Sequence, residues 1–523
     1  MGGAARTATV SNSGGRKMKG QDPGDRTRPS VRAIGGGSVR TPAATAGALP
    51  QGATGRISMI AATAAIGGFL FGFDTAVING AVVPVQEYYR IGAVRLGFAV
   101  SLALLGAALG AVIAGRLADL MGRPRAMVVA AIAFLIQSFG VGLAFTIYDF
   151  TFWRIVGGVA VGAASVIAPT YIAEVAPARI RGRLGSLQQL AIVIGIFIAL
   201  LIDFLIAALA GGASKPWLFG LPAWRWMFIT EAIPAIVYLI GALRIPESPR
   251  YLVGINRAEE ARRVLNDVVG PEHTDEKIAE IRHTMRTERR PSLSDLRGPA
   301  FGLLPIVWIG IALSVFQQFV GINVIFYYSS LLWQAVGFTE KQSLEITTIT
   351  GLTNILTTFI AIGTIDRFGR KPLLLVGSVG MAVTLGLMAI LFGTAPIVNG
   401  KPELHGAAGI AALLAANLYV VFFGLSWGPV VWVLLGEMFP NRIRAAALGV
   451  AAALQWVANF VVSTTFPSLA NLGLAYAYGL YTLAAILSIV FVSAFVRETR
   501  GRELETMRES MAELQAPTAA PAR

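Results

Sequence analysis

Cysteine is absent from this chain of 523 residues, histidine occurs only three times, and charged residues make up only 14%. Without cysteine the chain forms neither a disulfide framework nor a thiolate metal site, and cysteine usage indicates no redox compartment. A soluble protein needs about 25% charged residues to cover its surface. Because 55% of the residues are hydrophobic, much of the surface must face lipid.

The sequence motifs of enzymes are missing as well. The chain contains no metal-ligand cluster, nucleophile elbow or phosphate-binding loop, which are the patterns that mark catalytic centres. Its polar segments are too short to hold a catalytic domain. The sequence therefore predicts a protein that is not an enzyme and that uses no cofactor and no metal.

Apolar runs of roughly 20 residues, the length that crosses a bilayer, recur throughout the chain. They lie near residues 57–84, 95–116, 124–145, 150–174, 184–210, 226–244, 301–335, 343–365, 372–394, 406–437, 445–469 and 474–496. Some of them exceed the thickness of a bilayer, so we expect these to be tilted, or broken at Gly and Pro. The pattern predicts an all-α membrane protein with twelve transmembrane helices.

Basic residues are concentrated in every second connection between these runs. They are Arg116, Arg123, Arg125, Arg179, Arg181, Arg183, Arg367, Arg370, Lys371, Arg442 and Arg444. The positive-inside rule places these connections, and with them both termini, in the cytoplasm. The net charge of +14 therefore reflects membrane topology, and we predict no nucleic-acid partner.

The polar segments have separate predicted roles. The N-terminal segment has no apolar period and lacks the apolar core of a signal peptide, so we expect it to be disordered. The interruption between the sixth and seventh runs indicates short amphipathic helices, for example Ala258–Val269 and Asp275–Arg289. The predicted segments are a cytoplasmic tail (1–55), a six-helix half (56–244), an intracellular helical linker (245–300), a second six-helix half (301–496) and a cytoplasmic tail (497–523).

The two predicted halves repeat each other. Asp119-Leu-Met-Gly122-Arg123 recurs as Asp366-Arg-Phe-Gly369-Arg370, and Glu174–Arg181 recurs as Glu437–Arg444 with Pro and both Arg residues retained. Such internal repeats are typical of transporters, in which one half rocks against the other around a central site. The pattern favours a transporter that works by alternating access.

Four motifs make the chain resemble the sugar porters of the major facilitator superfamily, over residues 57 to 505. The motifs are Gly115–Arg123, Pro246–Arg250, Gln317–Asn323 and Arg497–Gly501. The last departs from the usual Pro-Glu-Thr-Lys-Gly, with Arg in place of both Pro and Lys. The resemblance implies the major facilitator fold.

Within that family the chain is most similar to bacterial proton-linked glucose and xylose symporters, on the strength of Phe71–Gly80. The resemblance implies import of a monosaccharide, glucose favoured and xylose next, by proton symport. It also implies a multi-pass protein of the cell membrane that contacts the lipid bilayer and works as a monomer. The alternatives are an uncoupled uniporter, a polyol or inositol carrier, and a sugar-sensing receptor, although sensors usually have a longer cytoplasmic tail.

Sugar recognition needs donors and acceptors that match ring hydroxyls, and amides supply both without the desolvation cost of a charge. Trp432 is predicted to stack its ring on the apolar C–H face of the sugar, and Trp456 is predicted to help. The alternative is that amides inside the membrane only hold helices together. The predicted substrate-binding residues are Gln189, Gln317, Gln318, Asn323, Asn354, Trp432, Gln455 and Asn459, of which Gln317, Gln318 and Asn323 match family sugar ligands.

The proton carrier should be an acid inside the membrane, where ionisable residues are costly and therefore functional or paired. Histidine is excluded, since all three lie outside the apolar runs. Asp74 is the predicted carrier and Arg154 its partner, because a carboxylate beside Arg is held deprotonated until the partner moves away. A static ion pair is the alternative for this pair. Asp203 is a weaker candidate, and Glu231 matches an acid that the family keeps for structure.

The resemblance also implies a gate and a lock. Tyr327 and Tyr328 match the aromatic residues of the extracellular gate, although simple packing would give the same pattern. Charges at the cytoplasmic ends are expected to form salt bridges that close the inner side, or else to be solvated at the surface. The predicted lock residues are Asp119, Arg123, Glu174, Arg181, Glu247, Asp366, Arg370, Glu437, Arg444 and Glu498.

Overall fold

A computed structural model describes residues 53–176, 178–287, 293–398, 401–404, 406–440 and 443–499 of the chain. Apart from a few residues at their inner ends, the two predicted tails lie outside these described residues.

The described residues are almost all helical. The first group of helices is α1 (Ala53–Ala76), α2 (Ile78–Tyr88), α3 (Ala93–Met121), α4 (Arg123–Gly142), α5 (Ile147–Val175), α6 (Ala178–Ala210), α7 (Ala223–Ile229) and α8 (Ala232–Arg244). Three linker helices follow: α9 (Pro249–Gly254), α10 (Ala258–Val269) and α11 (Pro271–Thr287). The second group is α12 (Pro305–Phe319), α13 (Ile322–Ala335), α14 (Glu340–Phe368), α15 (Arg370–Gly393), α16 (Gly406–Leu425), α17 (Trp427–Met438), α18 (Arg444–Leu472) and α19 (Leu474–Phe495). A hairpin of β1 (Ile397–Val398) and β2 (Lys401–Pro402) joins α15 to α16.

In the described part of the chain, 12 segments are long and apolar enough to cross a membrane. This number confirms the predicted class and span count. Four spans consist of two consecutive helices: α1–α2, α7–α8, α12–α13 and α16–α17. The linker helices share a small apolar core of their own that includes Leu252, Leu265 and Ile278.

The four interrupted spans differ in how sharply they break. Val77, between α1 and α2, keeps helical angles of φ −57° and ψ −24°, so the first span only bends there. By contrast, Gly321 between α12 and α13 has φ +83°, a left-handed conformation that glycine adopts without strain. Ser426 between α16 and α17 has φ −130° and ψ −87°. The second group of helices therefore contains two true breaks.

Close backbone approach fixes α3 against α5. A Cβ atom at Gly158 would collide with the carbonyl oxygen of Ala103, and one at Gly162 with that of Ala107. Gly106 of α3 meets the carbonyl oxygen of Ile155 on α5 in the same way. Small residues at such crossings let membrane helices pack backbone to backbone. This packing fixes the position of α5, which carries Arg154.

The two groups of helices meet at one end of the spans, through a contact that we call the clamp, formed by Asn79 of α2 with Ser329 and Ser330 of α13. The Asn79 amide donates to the Phe326 carbonyl at 3.0 Å and to Ser329 Oγ at 2.9 Å, and its oxygen accepts from the Ser330 N–H at 3.2 Å. Ser330 Oγ also donates to the Asn79 carbonyl. These bonds lie in a buried region and hold α2 against α13.

Two further contacts join the groups on the same side of the spans. Ser101 lies in the first third of α3 and Thr464 in the last third of α18. Their hydroxyl oxygens, Ser101 Oγ and Thr464 Oγ1, are 2.5 Å apart. Thr348 of α14 donates to the Leu200 carbonyl of α6 at 3.3 Å. Both lie away from the predicted lock residues, which are at the opposite ends of these helices.

Candidate functional site

A buried ion pair lies inside the first group of helices. Arg154 Nη1 of α5 donates to Asp74 Oδ1 of α1 at 2.8 Å and to the Asp74 carbonyl at 3.1 Å. Both side chains are buried, and the Arg154 guanidinium lies 5.8 Å from the centre of the Phe228 ring. The structure thus brings together the two residues that the sequence predicts as partners.

Two further residues, which the sequence analysis did not assign to this site, extend the pair into a cluster. Gln137 Nε2 of α4 donates to Asp74 Oδ1 at 3.2 Å and to Glu231 Oε2 at 2.6 Å. Glu231, for which we expected a separate structural role, lies buried at the junction of α7 and α8. In sequence, the only signals were a glutamine inside the apolar run of α4 and an acid inside that of α7–α8.

The cluster of Asp74, Glu231 and Arg154 contains two carboxyl groups and one guanidinium. With both acids ionised it carries one excess negative charge, and an uncompensated buried charge is costly. One bound proton is needed to balance this charge, and the Gln137 amide bridges the two carboxyl groups. The arrangement is suited to taking up and releasing a single proton.

A small cavity adjoins this cluster. It is lined by Asp74 and Arg154 on one side and by Tyr327 of α13 and Trp456 of α18 on the other. Tyr327 is buried, and its hydroxyl accepts a hydrogen bond of 3.4 Å from Asn459 of α18. Tyr327 therefore connects the charged cluster to polar residues of the second group of helices.

Four of the predicted sugar ligands form one chain of amides. Gln455 Nε2 donates to Gln317 Oε1 at 2.6 Å, Gln318 Nε2 donates to the same oxygen at 3.4 Å, and Asn323 Nδ2 donates to Gln318 Oε1 at 2.6 Å. The chain crosses the break at Gly321, which brings Asn323 back beside Gln318. Amides gathered in this way present donors and acceptors to a polyhydroxyl ligand.

The other predicted ligands stand apart from this chain. In the described residues, the side chains of Gln189, Asn354 and Trp432 form no hydrogen bond with it. Asn354 is buried near Gly424 of α16, whereas Trp432 keeps 42% of its surface exposed. The structure thus brings together only part of the predicted set.

The two predicted gate residues are both buried but differ in their contacts. Tyr328 donates to the Ser463 carbonyl at 2.8 Å, and its ring lies 5.2 Å from that of Phe466. These contacts tie Tyr328 to α18. Tyr327 instead faces the cavity beside Asp74, so of the two it alone adjoins the charged cluster.

The weaker proton candidate, Asp203 of α6, lies in a different place. It is fully buried, and its Oδ2 accepts the backbone N–H of Gly80, in the first turn of α2, at 3.0 Å. The Asp203 carboxyl thus connects α6 to the first turn of the helix that carries the clamp.

The lock residues of the first group pair with one another. Arg123 contacts Glu174 at 2.9 Å and Asp119 at 3.5 Å, and its backbone N–H donates to Glu247 at 2.9 Å. Burial raises the pKa of the Glu247 carboxyl, although hydrogen bonds from the backbone N–H groups of Ser248 and Arg123 oppose that shift. Arg123 directly follows Gly122, whose φ of +91° turns the chain between α3 and α4.

The second group repeats this arrangement. Arg370 contacts Glu437 at 2.7 Å, its backbone N–H donates to Glu498 at 3.0 Å, and Thr499 Oγ1 donates to Glu437 at 2.6 Å. Arg444 donates to the Phe439 carbonyl at 3.1 Å and forms no ion pair with any described residue. The side chains of Arg181 and Asp366 lie outside the described residues. The ion pairs observed between described lock residues therefore lie within each group.

Known proteins resemble this chain over most of its length. A family model described as sugar (and other) transporter matches residues 60–511. The glucose transport protein of Synechocystis sp. is 61% identical over 453 residues, which cover 86% of this chain and 97% of the relative. The D-xylose-proton symporter of Escherichia coli is 38% identical over 484 residues, which cover 86% of this chain and 95% of the relative.

Solved structures show the same similarity. The xylose transporter of E. coli in an inward-open conformation superposes with a TM-score of 0.73 at 36% identity, covering 87% of this chain and 99% of that one. The proton:xylose symporter bound to 6-bromo-6-deoxy-D-glucose gives a TM-score of 0.70 at 37% identity, with the same coverage.

Proposed function

Because this chain belongs to the sugar transporter family, we propose that it imports a monosaccharide together with a proton, with glucose favoured and xylose next. The protein is a multi-pass membrane transporter and not an enzyme. The observation that carries the symport proposal is the buried cluster of Asp74, Glu231 and Arg154. A carrier without proton coupling has no need of two acids around one guanidinium inside the membrane.

The cluster and the amide chain are linked through Tyr327, which lines the cavity beside Asp74 and binds Asn459. In the proposed cycle the cluster takes a proton from outside, a sugar binds among the amides, and the two groups of helices rock to expose both to the cytoplasm. The proton and the sugar then leave, and the empty protein returns. The two groups act as the predicted halves, 56–244 and 301–496.

Orientation is part of the proposal. The basic connections support a cytoplasmic position for the lock and for both termini, in the cell membrane. The clamp then lies on the outer side of the membrane. The clamp joins the two groups of helices there, whereas no ion pair between described lock residues joins them on the inner side. We therefore assign the structure to an inward-facing state. We further propose that the monomer is the functional unit and that its apolar exterior contacts the lipid bilayer.

Glucose is favoured because the Synechocystis relative carries that substrate in its name. Xylose remains next, because the two sugars differ by one hydroxymethyl group. A single small group in a pocket is worth about 1–3 kcal/mol, which a few side chains supply. Competition of labelled glucose uptake by xylose and by inositol ranks the candidates and tests the polyol alternative.

Purified protein in proteoliposomes tests the coupling. With an imposed inward proton gradient, the wild type should accumulate labelled sugar above its equilibrium level. Asp74→Asn should lose this accumulation but keep sugar binding, because Asn retains most of the hydrogen bonding and cannot carry a proton. The measurement is internal sugar concentration with and without the gradient.

Asp203→Asn is the matched control, since this buried acid lies on α6 against α2 and the Asn oxygen can still accept the Gly80 N–H. It should accumulate sugar as the wild type does. Retained accumulation in Asp74→Asn and loss in Asp203→Asn would move the coupling site to Asp203. If the wild type only equilibrates the sugar, the chain is an uncoupled uniporter, and if it binds sugar without any uptake, it acts as a receptor.

A further inference from the structure

One of the amides, Gln317, binds the start of helix α17 as well as its amide neighbours. Its Nε2 lies 2.7 Å from the Trp427 carbonyl and 3.3 Å from the Gly428 carbonyl. These two residues form the first turn of α17, directly after the break at Ser426. Gln317 therefore holds α17 at its pivot.

Gln317 has no hydrogen-bonding capacity left in this structure. A glutamine amide offers two donors and an oxygen with two lone pairs. The donors face the carbonyls of Trp427 and Gly428, and the oxygen accepts from Gln455 and Gln318. A sugar hydroxyl can bind Gln317 only by displacing one of these partners.

Helix α17 carries two residues to which the sequence assigns separate roles. Trp432 is the predicted stacking face for the sugar, and Glu437 pairs with Arg370 at the lock end. A small tilt at the first turn of α17 moves both side chains. The same turn has a separate contact with α15, because the Trp427 indole donates to Ser378 at 2.9 Å. Gln317 is the contact that holds this turn from α12.

We propose that Gln317 is a positioning residue that holds helix α17 in the sugar-free protein and releases it when a sugar hydroxyl takes its amide. This role rests on the proposed sugar transport and adds to it a link between substrate binding and the lock end. In a simple ligand role, Gln317 would contribute to sugar affinity and leave the sugar-free position of α17 unaffected. The sugar-free position of α17 therefore distinguishes the two roles.

The native chain is free of cysteine, so a pair of spin labels can be introduced directly. Cysteines at Gly115 of α3 and Gly436 of α17 fit, because a Cβ atom at either position meets nothing within 4 Å. The distance between these labels reports the position of α17 relative to the first group of helices. The measurement is made in nanodiscs without sugar and with saturating glucose.

In the sugar-free protein, Gln317→Met should change the ratio of the distance populations by about tenfold, since two hydrogen bonds to α17 are lost. Glucose added to the parent should shift the populations in the same direction. Gln317→Glu should shift the populations in the same direction but by less, because it keeps the shape and leaves at most one O–H donor in place of the two amide donors. Gln318→Met is the matched control. The Gln318 amide donates to Gln317 and not to α17, so the sugar-free distances in this variant should stay as in the parent.

Identical sugar-free distances in the parent, Gln317→Met and Gln317→Glu would overturn the positioning role, whatever happens to sugar affinity. A shift in the variants with no shift on glucose binding to the parent would overturn the release step. If calorimetry detects no sugar binding at all, the transport proposal fails, while the sugar-free comparison still decides whether Gln317 holds α17.

Discussion

At the scale of single residues, Trp432 stands out because a large aromatic side chain in an apolar helix keeps 42% of its surface exposed. An indole in such a position offers a flat apolar face. Stacking on the C–H face of a pyranose buries roughly 60 Å² of it, worth about 1.5 kcal/mol. Trp432 therefore fits the stacking role that the sequence predicts.

Trp432→Ala should weaken sugar binding by about tenfold, because the stacking surface is lost while the amide chain remains. Isothermal titration of the purified protein with glucose measures this. Trp308→Ala is the control: Trp308 is similarly exposed at 40% but lies near the linker, where its indole binds the Ala300 carbonyl. Equal sugar affinity in the wild type and in Trp432→Ala would show that Trp432 does not stack on the sugar.

The charged site shows how far single residues can be predicted from sequence. Asp74 and Arg154 were foreseeable partners, since each is an isolated charge in an apolar span and unpaired charges there are costly. Gln137 and Glu231 were not, because their meeting depends on how α4 and the α7–α8 junction pack around α1. The sequence also did not predict that Gln317 contacts both the other amides and the start of α17, since this depends on where α17 begins.

At the scale of helices, the crossing of α3 and α5 depends on glycines that have no room for a side chain. Gly158→Ala should lower the thermal midpoint of the purified protein, because its Cβ would press on the Ala103 backbone and overpacking costs about 1–3 kcal/mol. Tryptophan-fluorescence melting measures the change. We expect reduced pH-driven uptake as well, since α5 positions Arg154.

Gly115→Ala, in α3 itself, is the control for this substitution. A Cβ atom at Gly115 meets nothing within 4 Å, and Ala is the better helix former. Its thermal midpoint should equal or exceed that of the wild type. A Gly158→Ala protein as stable as the Gly115→Ala protein would show that the crossing tolerates a wider spacing.

The existence of the helices was foreseeable, whereas the form of their interruptions was only partly so. Long apolar runs were expected to break at Gly or Pro, and Gly321 breaks the run of residues 301–335 with φ +83°. The bend at Val77 has no glycine at its own position, and Pro84 lies a further two turns along the chain. The sequence also did not show which of the 58 glycines lie at helix crossings. A membrane span is apolar on every side, so no change from apolar to polar residues marks the face that packs on a neighbouring helix.

At the scale of the whole molecule, the described lock charges pair within each group of helices while the clamp joins the groups at the other end. Arg444 has no ion pair with a described residue here, and we expect it to form one when the lock ends of the two groups come together. Arg444→Gln should therefore favour the state described here by about two- to five-fold, the worth of one partly exposed ion pair.

The labels at Gly115 and Gly436 measure this shift as a larger share of the sugar-free population at the distance of the present state. Arg257→Gln, which removes an exposed pair with Glu260 in the linker, should leave the shares unchanged. If Arg444→Gln also leaves them unchanged, Arg444 takes no part in a lock between the groups.

In the proposed orientation, the clamp also bears on how strongly the sugar-free carrier is seen to bind sugar from outside. Asn79 is satisfied by four hydrogen bonds to one short stretch of α13, and all four must break before the outer side opens. The apparent dissociation constant is the intrinsic one divided by the fraction of molecules that are open. If only about 1% of empty carriers face outward, an external sugar meets a site that looks a hundredfold weaker than it is. The sugar concentration that gives half-maximal uptake therefore depends on the stability of the clamp as much as on the intrinsic affinity of the sugar site.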